Sequence, residues 1–192
     1  MKTVYGIIAH TVFALTLTLS QTAAASADIT KENTGIHAAM KLYSQALPLD
    51  IDSPKRAELL DQSASILQKV IENNPESLEA HRKLMGVYLL KQDYSNGIRT
   101  MQSAITLSPE DPKLFITLAF LYEHSGAFEY AKAMLNQALA LDPNQKIAKE
   151  YKIVIQQKID ALNMDQLHKG KKLMGANHGK PADTTHSPVD PK

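Results

Sequence analysis

The sequence predicts an all-α fold, a solenoid of about three helix pairs followed by a long C-terminal capping helix. Three observations lead to this prediction. Prolines recur at Pro75, Pro109 and Pro143, each 34 residues after the last, and such a period is typical of stacked repeats. Between them, apolar residues recur at the three- and four-residue spacing of amphipathic helices. Trp is absent and aromatic residues make up only 6% of the chain, which favours helices packed by small and aliphatic side chains.

The two units that end at Pro109 and Pro143 match at more than their prolines. Six further pairs at the same offset carry related apolar or small residues: Leu84 and Leu118, Tyr88 and Tyr122, Tyr94 and Phe128, Met101 and Leu135, Ala104 and Ala138, and Leu107 and Leu141. So many matches at one offset are hard to obtain by chance. The segments 76–109 and 110–143 are therefore predicted to be two copies of one structural unit.

Each unit is predicted to fold as two helices joined by a short turn. In the first copy the helices span about 78–91 and 94–107, because apolar residues share one side of each. The turn of the second copy contains Gly126, which suits a position after a helix that needs positive φ. The closing prolines cannot continue a helix, so they separate neighbouring units.

A degenerate first repeat is predicted at 35–75, because about three units are needed to build a continuous core. It consists of helices at 35–47 and 56–75, and a linker at 28–34 precedes it. The connection between these helices is longer than in the other two units.

The C-terminal part is predicted to contain one more helix and a tail. Residues 144–167 place apolar side chains on one side and lysines and glutamines on the other, as expected for a helix that caps an array. Residues 168–192 are dominated by Gly, Pro, Asn and Thr and lack hydrophobic spacing, so we expect disorder there. Five lysines and two aspartates give this tail a net charge of +3.

One set of residues recurs in both copies: His81, Leu84, Met85, Tyr88, Gly97, Met101, Ala104 and Pro109, then Phe115, Leu118, Ala119, Tyr122, Ala131, Leu135, Ala138 and Pro143. This pattern resembles the tetratricopeptide repeat family. His81 and Met85 depart from the usual aromatic and small residue, which suggests looser packing there. The resemblance implies an α-solenoid whose first helices line a concave face that holds peptides or protein partners.

The ligand-facing positions that the resemblance implies form a groove along the first helices. They map to Glu79, Arg82, Gly86, Leu89, Leu90, Lys113, Ile116, Phe120, Glu123 and His124, with Ile147 and Glu150 from the capping helix. This mixture suits an amphipathic helix or an extended peptide, with Phe120 and Leu89 as anchors. Alternatively, individual members only pack against the next repeat. The subtype that grips a C-terminal carboxylate is not expected, because Gly86 and Thr117 stand where it has asparagines.

The N-terminus is predicted to be a signal peptide at 1–27. Lys2 is followed by an apolar stretch and by the small-residue site ASA at 25–27, so we predict cleavage after Ala27. The alternative is an uncleaved membrane anchor, since no charge lies between Lys2 and Asp28. We expect a periplasmic or secreted protein with no stable membrane insertion after cleavage.

Composition and motifs exclude several functions. Without Lys2 the chain has equal numbers of basic and acidic residues, so no general attraction to nucleic acid or anionic membranes is expected. The absence of Cys excludes disulfides, thiol catalysis and Cys-ligated metals. No nucleophile elbow, glycine-rich phosphate loop or HExxH motif is present, which predicts a protein that is not an enzyme and needs no cofactor. Glu123 and His124 fit a solvated helix end better than a general base.

These observations favour a non-enzymatic adaptor or scaffold of the bacterial cell envelope, an assembly factor that binds a peptide or helix of a partner in the groove. The alternative is a metal-handling protein, because His168, His178 and His186, with Met164 and Met174 nearby, offer ligands for copper or zinc. Their wide spacing in a segment predicted to be disordered gives no fixed geometry. An enzyme hidden in the unmatched segments ranks third.

Overall fold

The computed structural model describes residues 28–177, which form seven helices and no strand in that range. The helices are α1 (28–46), α2 (Pro54–Asn73), α3 (Leu78–Leu90), α4 (Tyr94–Leu107), α5 (Pro112–His124), α6 (Phe128–Leu141) and α7 (Lys146–Asn177). From α2 onward, each helix packs against its neighbours along the chain. The prediction of an all-α solenoid of three helix pairs and a capping helix is confirmed.

Three helices begin at a side chain that accepts a backbone hydrogen bond. Ser77 precedes α3, Asp93 precedes α4 and Asp111 precedes α5, and each bonds a backbone nitrogen two or three residues later, at 3.2, 3.1 and 2.9 Å. Such bonds satisfy amides that have no partner inside the helix. These three residues therefore mark where α3, α4 and α5 begin.

The turns inside the second and third units share one backbone geometry. Gln92 follows α3 with φ of 56° and Gly126 follows α5 with φ of 78°. In both turns the next amide donates to the carbonyl oxygen five residues earlier, at 2.9 and 2.8 Å. This is the Schellman arrangement, in which a left-handed residue closes the helix.

The core lies between the first and second helices of the units and follows the chain as three clusters of buried side chains. The first contains Ile36, Ala39, Ala46, Leu59, Leu60, Ala64, Leu67, Val70, Ala80, Leu84, Val87 and Tyr88. The second contains Met101, Ala104, Leu114, Leu118 and Leu121, and the third Ala119, Ala131, Leu135, Ala138, Ala148, Ile155 and Ile159. Tyr122 and Met134 contact both of the last two clusters, so these are continuous.

His81 stands at one of the two positions where the first clear unit departs from the repeat pattern. Its side chain is buried, and its Nδ1 lies 2.9 Å from the carbonyl oxygen of Ser77, one helical turn earlier. This hydrogen bond satisfies the polar ring inside the core. The unit therefore accommodates an imidazole where the family usually has a larger aromatic ring.

Both ends of the helical array differ from the sequence prediction. Residues 28–34, expected to be a linker, are helical and belong to α1. The carboxylate of Glu32 accepts hydrogen bonds from the side chains of Asn74, at 2.7 Å, and Ser77. These bonds tie the polar start of α1 to the turn between α2 and α3, a tertiary contact that local sequence does not indicate.

Helix α7 continues to Asn177, ten residues past the predicted end at 167. Gly170 and Gly175 lower the helix propensity of this stretch, but glycine alone does not terminate a helix. An ion pair between Lys169 and Asp165, four residues apart at 2.6 Å, supports the extension. The disorder predicted to begin at residue 168 is therefore wrong for its first ten residues.

Residues 1–27 and 178–192 lie outside the described range. The predicted signal peptide, its cleavage after Ala27 and the remainder of the predicted disordered tail fall there and stay predictions. Within 28–177, no helix combines the length and apolar character that crossing a membrane requires.

Candidate partner-binding site

The first helices of the units, α1, α3, α5 and α7, present equivalent positions. Equivalent residues of α3, α5 and α7 are 34 apart, and α1 joins the series at an offset of 45 because its connection to α2 is longer. Burial supports this offset, since Ile36 and Ala39 are buried in α1 as His81 and Leu84 are in α3. Stacked units place such positions side by side.

The residues at the predicted groove positions, together with residues at equivalent positions of α1 and α7, form what we call the first-helix face. It consists of His37, Lys41, Ser44 and Gln45 on α1; Glu79, Arg82, Gly86, Leu89 and Leu90 on α3; Lys113, Ile116, Phe120, Glu123 and His124 on α5; and Ile147, Glu150, Val154, Gln157 and Lys158 on α7. All of the groove residues predicted from the sequence belong to it. The residues of α1, Val154, Gln157 and Lys158 were missed.

A middle row crosses the first-helix face at equivalent positions of the four helices. It contains Lys41, Gly86, Phe120 and Val154 in the order α1, α3, α5 and α7. Lys41 is exposed, Phe120 is half-buried and Val154 is 44% exposed. A Cβ atom added at Gly86 would have no atom within 4 Å, so this point of the row is open space. The row thus begins with the positive charge of Lys41, has no side chain at Gly86, and ends with the apolar side chains of Phe120 and Val154.

Phe120, one of the two predicted anchors, is held by aromatic contacts. Its ring centroid lies 4.0 Å from that of His124, which in turn lies 5.8 Å from the ring of Tyr94. The Nδ1 atom of His124 lies 2.9 Å from the carbonyl oxygen of Phe120, so the Nδ1–H tautomer donates there. These contacts fix the ring orientation while leaving part of it accessible to a ligand.

Glu123 connects α5 to the capping helix. Its side chain is only 11% exposed and accepts hydrogen bonds from the hydroxyl of Tyr151 and the ammonium of Lys158. Burial opposes the charge, but these two bonds outweigh it and hold the pKa of Glu123 below its usual range. Burial, and then the bond to Glu123, raises the pKa of the Tyr151 hydroxyl. Glu123 therefore joins two first helices.

Arg82 makes the corresponding connection one unit earlier. Its guanidinium pairs with the carboxylate of Asp111, the residue that caps α5. Glu79 and Lys113 are exposed. Lys113 has no carboxylate within 4 Å among the residues that the structure describes.

Two further predicted groove residues, Leu89 and Ile116, contribute to both the core and the surface. Leu89 and Ile116 are half-buried, and each packs against a cluster of buried side chains below the first-helix face. They therefore serve the packing of the repeats and also present some apolar area to a ligand. Leu89, the second predicted anchor, is less available than Val154, which sequence reasoning did not select.

A shallow depression runs along α1 at the other end of the face. It is lined by His37, Met40, Lys41, Ser44 and Gln45, which recur every three or four residues on one side of the helix. This side carries basic and polar groups and no carboxylate. The spacing of 45 residues between Tyr43 and Tyr88 identifies these residues of α1 as equivalents of the face residues of α3.

The residues that suggested metal binding are not gathered in the described part of the chain. His168 lies on the exposed end of α7, and His178 and His186 lie outside the described range. Among residues 28–177, no group of three or more His, Asp or Glu side chains is arranged to hold a metal ion.

The two clear units of the array match a known repeat family. Residues 88–150, from the end of α3 to the start of α7, match a family model described as tetratricopeptide repeat. By this segment the chain contains tetratricopeptide repeats (TPR). The resemblance read from the sequence is confirmed.

One curated relative of this TPR chain is the formate-dependent nitrite reductase complex subunit NrfG of Escherichia coli O157:H7. The two are 37% identical over 82 residues, which cover 41% of each chain. The match therefore spans about two fifths of the length of that relative.

Solved TPR structures share the fold of this chain. The thermophilic TPR protein TTC0263 of Thermus thermophilus matches with a TM-score of 0.57 and 20% identity, over 64% of this chain and 62% of that one. The TPR domain of Arabidopsis OM64 matches with a TM-score of 0.53 and 12% identity, over 68% and 98%. The second TPR domain of human RPAP3, in complex with the HSP70 peptide SGPTIEEVD, matches with a TM-score of 0.51 and 15% identity, over 65% and 98%.

Proposed function

We propose that this TPR protein is a non-enzymatic adaptor of the bacterial cell envelope that binds a peptide or helix of a partner along its first-helix face. In this role it acts as an assembly factor for a larger protein complex. The proposed contact residues are Glu79, Arg82, Leu89, Lys113, Ile116, Phe120, Glu123 and His124, together with Lys41 and Val154.

The middle row of the first-helix face is the observation that carries this proposal. Phe120 and Val154 leave apolar surface accessible beside Ile116, and the open point at Gly86 adjoins them. Exposed apolar side chains rimmed by charges are typical of surfaces that bind proteins or peptides. The carboxylate of Glu123, whose pKa is lowered, is used to join α5 and α7, which favours binding over catalysis.

Two of the similar proteins support the adaptor role. NrfG is by its name a subunit of a nitrite reductase complex, so a TPR segment like this one occurs in a multiprotein assembly. The RPAP3 domain was solved with a bound peptide. A repeat array of this size offers a long surface for such ligands without any enclosed active site.

Site-specific photocrosslinking in cells tests the proposal. A photoreactive phenylalanine analogue is placed at Phe120, and the control carries it at Tyr130, which is 64% exposed on the second helix α6. We expect the probe at 120 to give a crosslinked product with a partner, identified by mass spectrometry, because this position lies on the first-helix face. The control is expected to give none of that product.

Equal crosslinking from both positions would mean that capture is not specific to the first-helix face. No product from position 120 in the native host, with the protein shown to be folded by its helicity, would contradict the adaptor role. The envelope location has its own test, which is N-terminal sequencing of the protein isolated from a periplasmic fraction. We expect the sequence to begin at Asp28, because cleavage is predicted after Ala27.

A further inference from the structure

The position of Gly86 is unusual for a glycine in a helix. It lies in the interior of α3, has ordinary helical backbone geometry, and an added Cβ would meet no atom within 4 Å. Neither a left-handed conformation nor a close helix contact requires a glycine here. A glycine in a helix interior lowers stability by roughly 0.5–1 kcal/mol relative to alanine.

The missing side chain leaves a slot in the middle row of the first-helix face. On one side the equivalent position is Lys41 of α1, and on the other it is Phe120 of α5. Stacked units place these equivalent positions side by side, so the side chains of Lys41 and Phe120 flank a position that has none. The Phe120 ring, on the next first helix, is held in orientation by its contact with His124.

Charge distinguishes the α1 side of the slot. Lys41 has no carboxylate within 4 Å among the described residues, whereas the nearby Arg82 is paired with Asp111. The depression along α1 contributes His37 and no acidic group. A carboxylate of a ligand therefore finds an unpaired ammonium at this end, and apolar surface at the other.

We propose that the slot at Gly86 receives one bulky apolar side chain of the partner's peptide, and that an acidic residue beside it pairs with Lys41. This inference rests on the proposed function and makes it more specific. Gly86 determines specificity by the space it leaves, Phe120 supplies the apolar wall, and Lys41 selects for negative charge. The ligand is an acidic-apolar linear segment of a protein.

Selection from a library of random linear peptides displayed on phage tests the inference. The wild-type protein is compared with Gly86→Leu, which fills the slot, and with Ala133→Leu, which adds the same side chain at an exposed position of α6. We expect wild type and Ala133→Leu to enrich peptides with an acidic residue beside a bulky apolar one. Gly86→Leu is expected to lose this motif.

The dissociation constant of the enriched peptide, measured by fluorescence anisotropy, gives the size of the effect. Because the anchor side chain is excluded, Gly86→Leu is expected to weaken binding about tenfold or more. Gly86→Ala is expected to weaken it less, since only one carbon enters the slot. Lys41→Gln is expected to bind the acidic peptide more weakly than wild type does. Both proteins are expected to bind equally well a peptide in which Gln replaces the acidic residue.

Thermal unfolding of each variant separates binding from folding, and Gly86→Leu is expected to be at least as stable as wild type because α3 loses a glycine. If Gly86→Leu binds the peptide as tightly as wild type while Phe120→Ala does not, the slot inference is overturned and the proposed function stands. If wild type enriches no peptide, or if Phe120→Ala leaves binding unchanged, both are overturned.

Discussion

Gln92 and Gly126 occupy the same position in the turns of two units but are different residue types. Both lie one residue past a helix cap in the Schellman arrangement, and both have positive φ. Glycine adopts this conformation freely, whereas a glutamine places its Cβ against the backbone there. The second unit therefore contains a strained residue where the third does not.

We predict that Gln92→Gly stabilises the protein and that Gly126→Ala destabilises it. Relief of the left-handed strain is partly offset by the greater freedom of glycine in the unfolded chain, so the free energy of unfolding is expected to rise by about 0.5–1 kcal/mol for Gln92→Gly. Gly126→Ala is expected to lower it by about 1 kcal/mol. Urea denaturation followed by circular dichroism measures both. Shifts of the same sign for the two variants would contradict this account.

The left-handed residue at 126 was predictable from its residue type, and the one at 92 was not. Glutamine gives no local signal for positive φ, and only the 34-residue offset from Gly126 points to it. The same holds for the first-helix face. Residues of α3 and α5 follow from the repeat pattern, but Lys41 required the offset of α1, which the longer connection to α2 obscures.

The capping helix is the element whose attachment depends most on one polar cluster. Ile155 and Ile159 of α7 are buried against the preceding unit, and Tyr151 and Lys158 both bond the carboxylate of Glu123. Sequence reasoning placed Glu123 among the groove residues but could not foresee its partners, which lie 28 and 35 residues away on another helix.

We predict that Glu123→Gln lowers the free energy of unfolding by about 1–2 kcal/mol at pH 7, because two hydrogen bonds lose their charged acceptor. The pKa of Glu123 is depressed in the folded state, so its contribution is fully present above the ordinary pKa and is lost as the pH falls through the folded value. The difference from wild type is therefore expected to shrink in acid. Thermal unfolding at neutral and at acidic pH measures it.

Glu150→Gln is the matched control for this prediction. Glu150 lies on α7 and pairs with Lys146 at 3.8 Å, but both side chains are well exposed. Exposed pairs of this kind contribute roughly 0–1 kcal/mol. If Glu150→Gln lowers stability as much as Glu123→Gln does, the loss of a negative charge explains the effect. The hydrogen bonds of Glu123 to Tyr151 and Lys158 are then not its cause.

The described part of the molecule is a linear array, in which each helix from α2 onward packs against its neighbours along the chain, and neighbouring units in such arrays stabilise each other. About three units are needed for such an array. The third unit here is the degenerate first repeat at 35–75, whose sequence matches the repeat pattern only weakly. The apolar spacing of 35–47 and 56–75 was sufficient to predict that unit. The helical start of α1 at 28–34 and the last ten residues of α7 were not predictable, because no apolar pattern marks them. Tertiary hydrogen bonds support the first segment, and continuation of an existing helix supports the second.

We predict that removal of α7, by ending the chain after Gln145, lowers the melting temperature and makes unfolding less cooperative. The deletion exposes the third core cluster and removes Ile155 and Ile159, each worth about 1.5–3 kcal/mol of burial. A chain that ends after Lys169 keeps the buried residues Ala148, Ile155 and Ile159 of α7 and is expected to melt as wild type does. Equal melting of both shortened chains would show that α7 is not part of the cooperative core.

We predict that the ion pairs Arg82–Asp111 and Glu123–Lys158 make the spacing of the helices in the first-helix face depend on ionic strength. Each pair spans from one first-helix unit to the next, and in each pair one side chain is more than two fifths exposed. Added salt screens such charges and weakens these two ion pairs, which connect neighbouring first helices. Affinity for a ligand without any charge is therefore expected to fall modestly with salt, because the receptor and not the ligand responds to the ions.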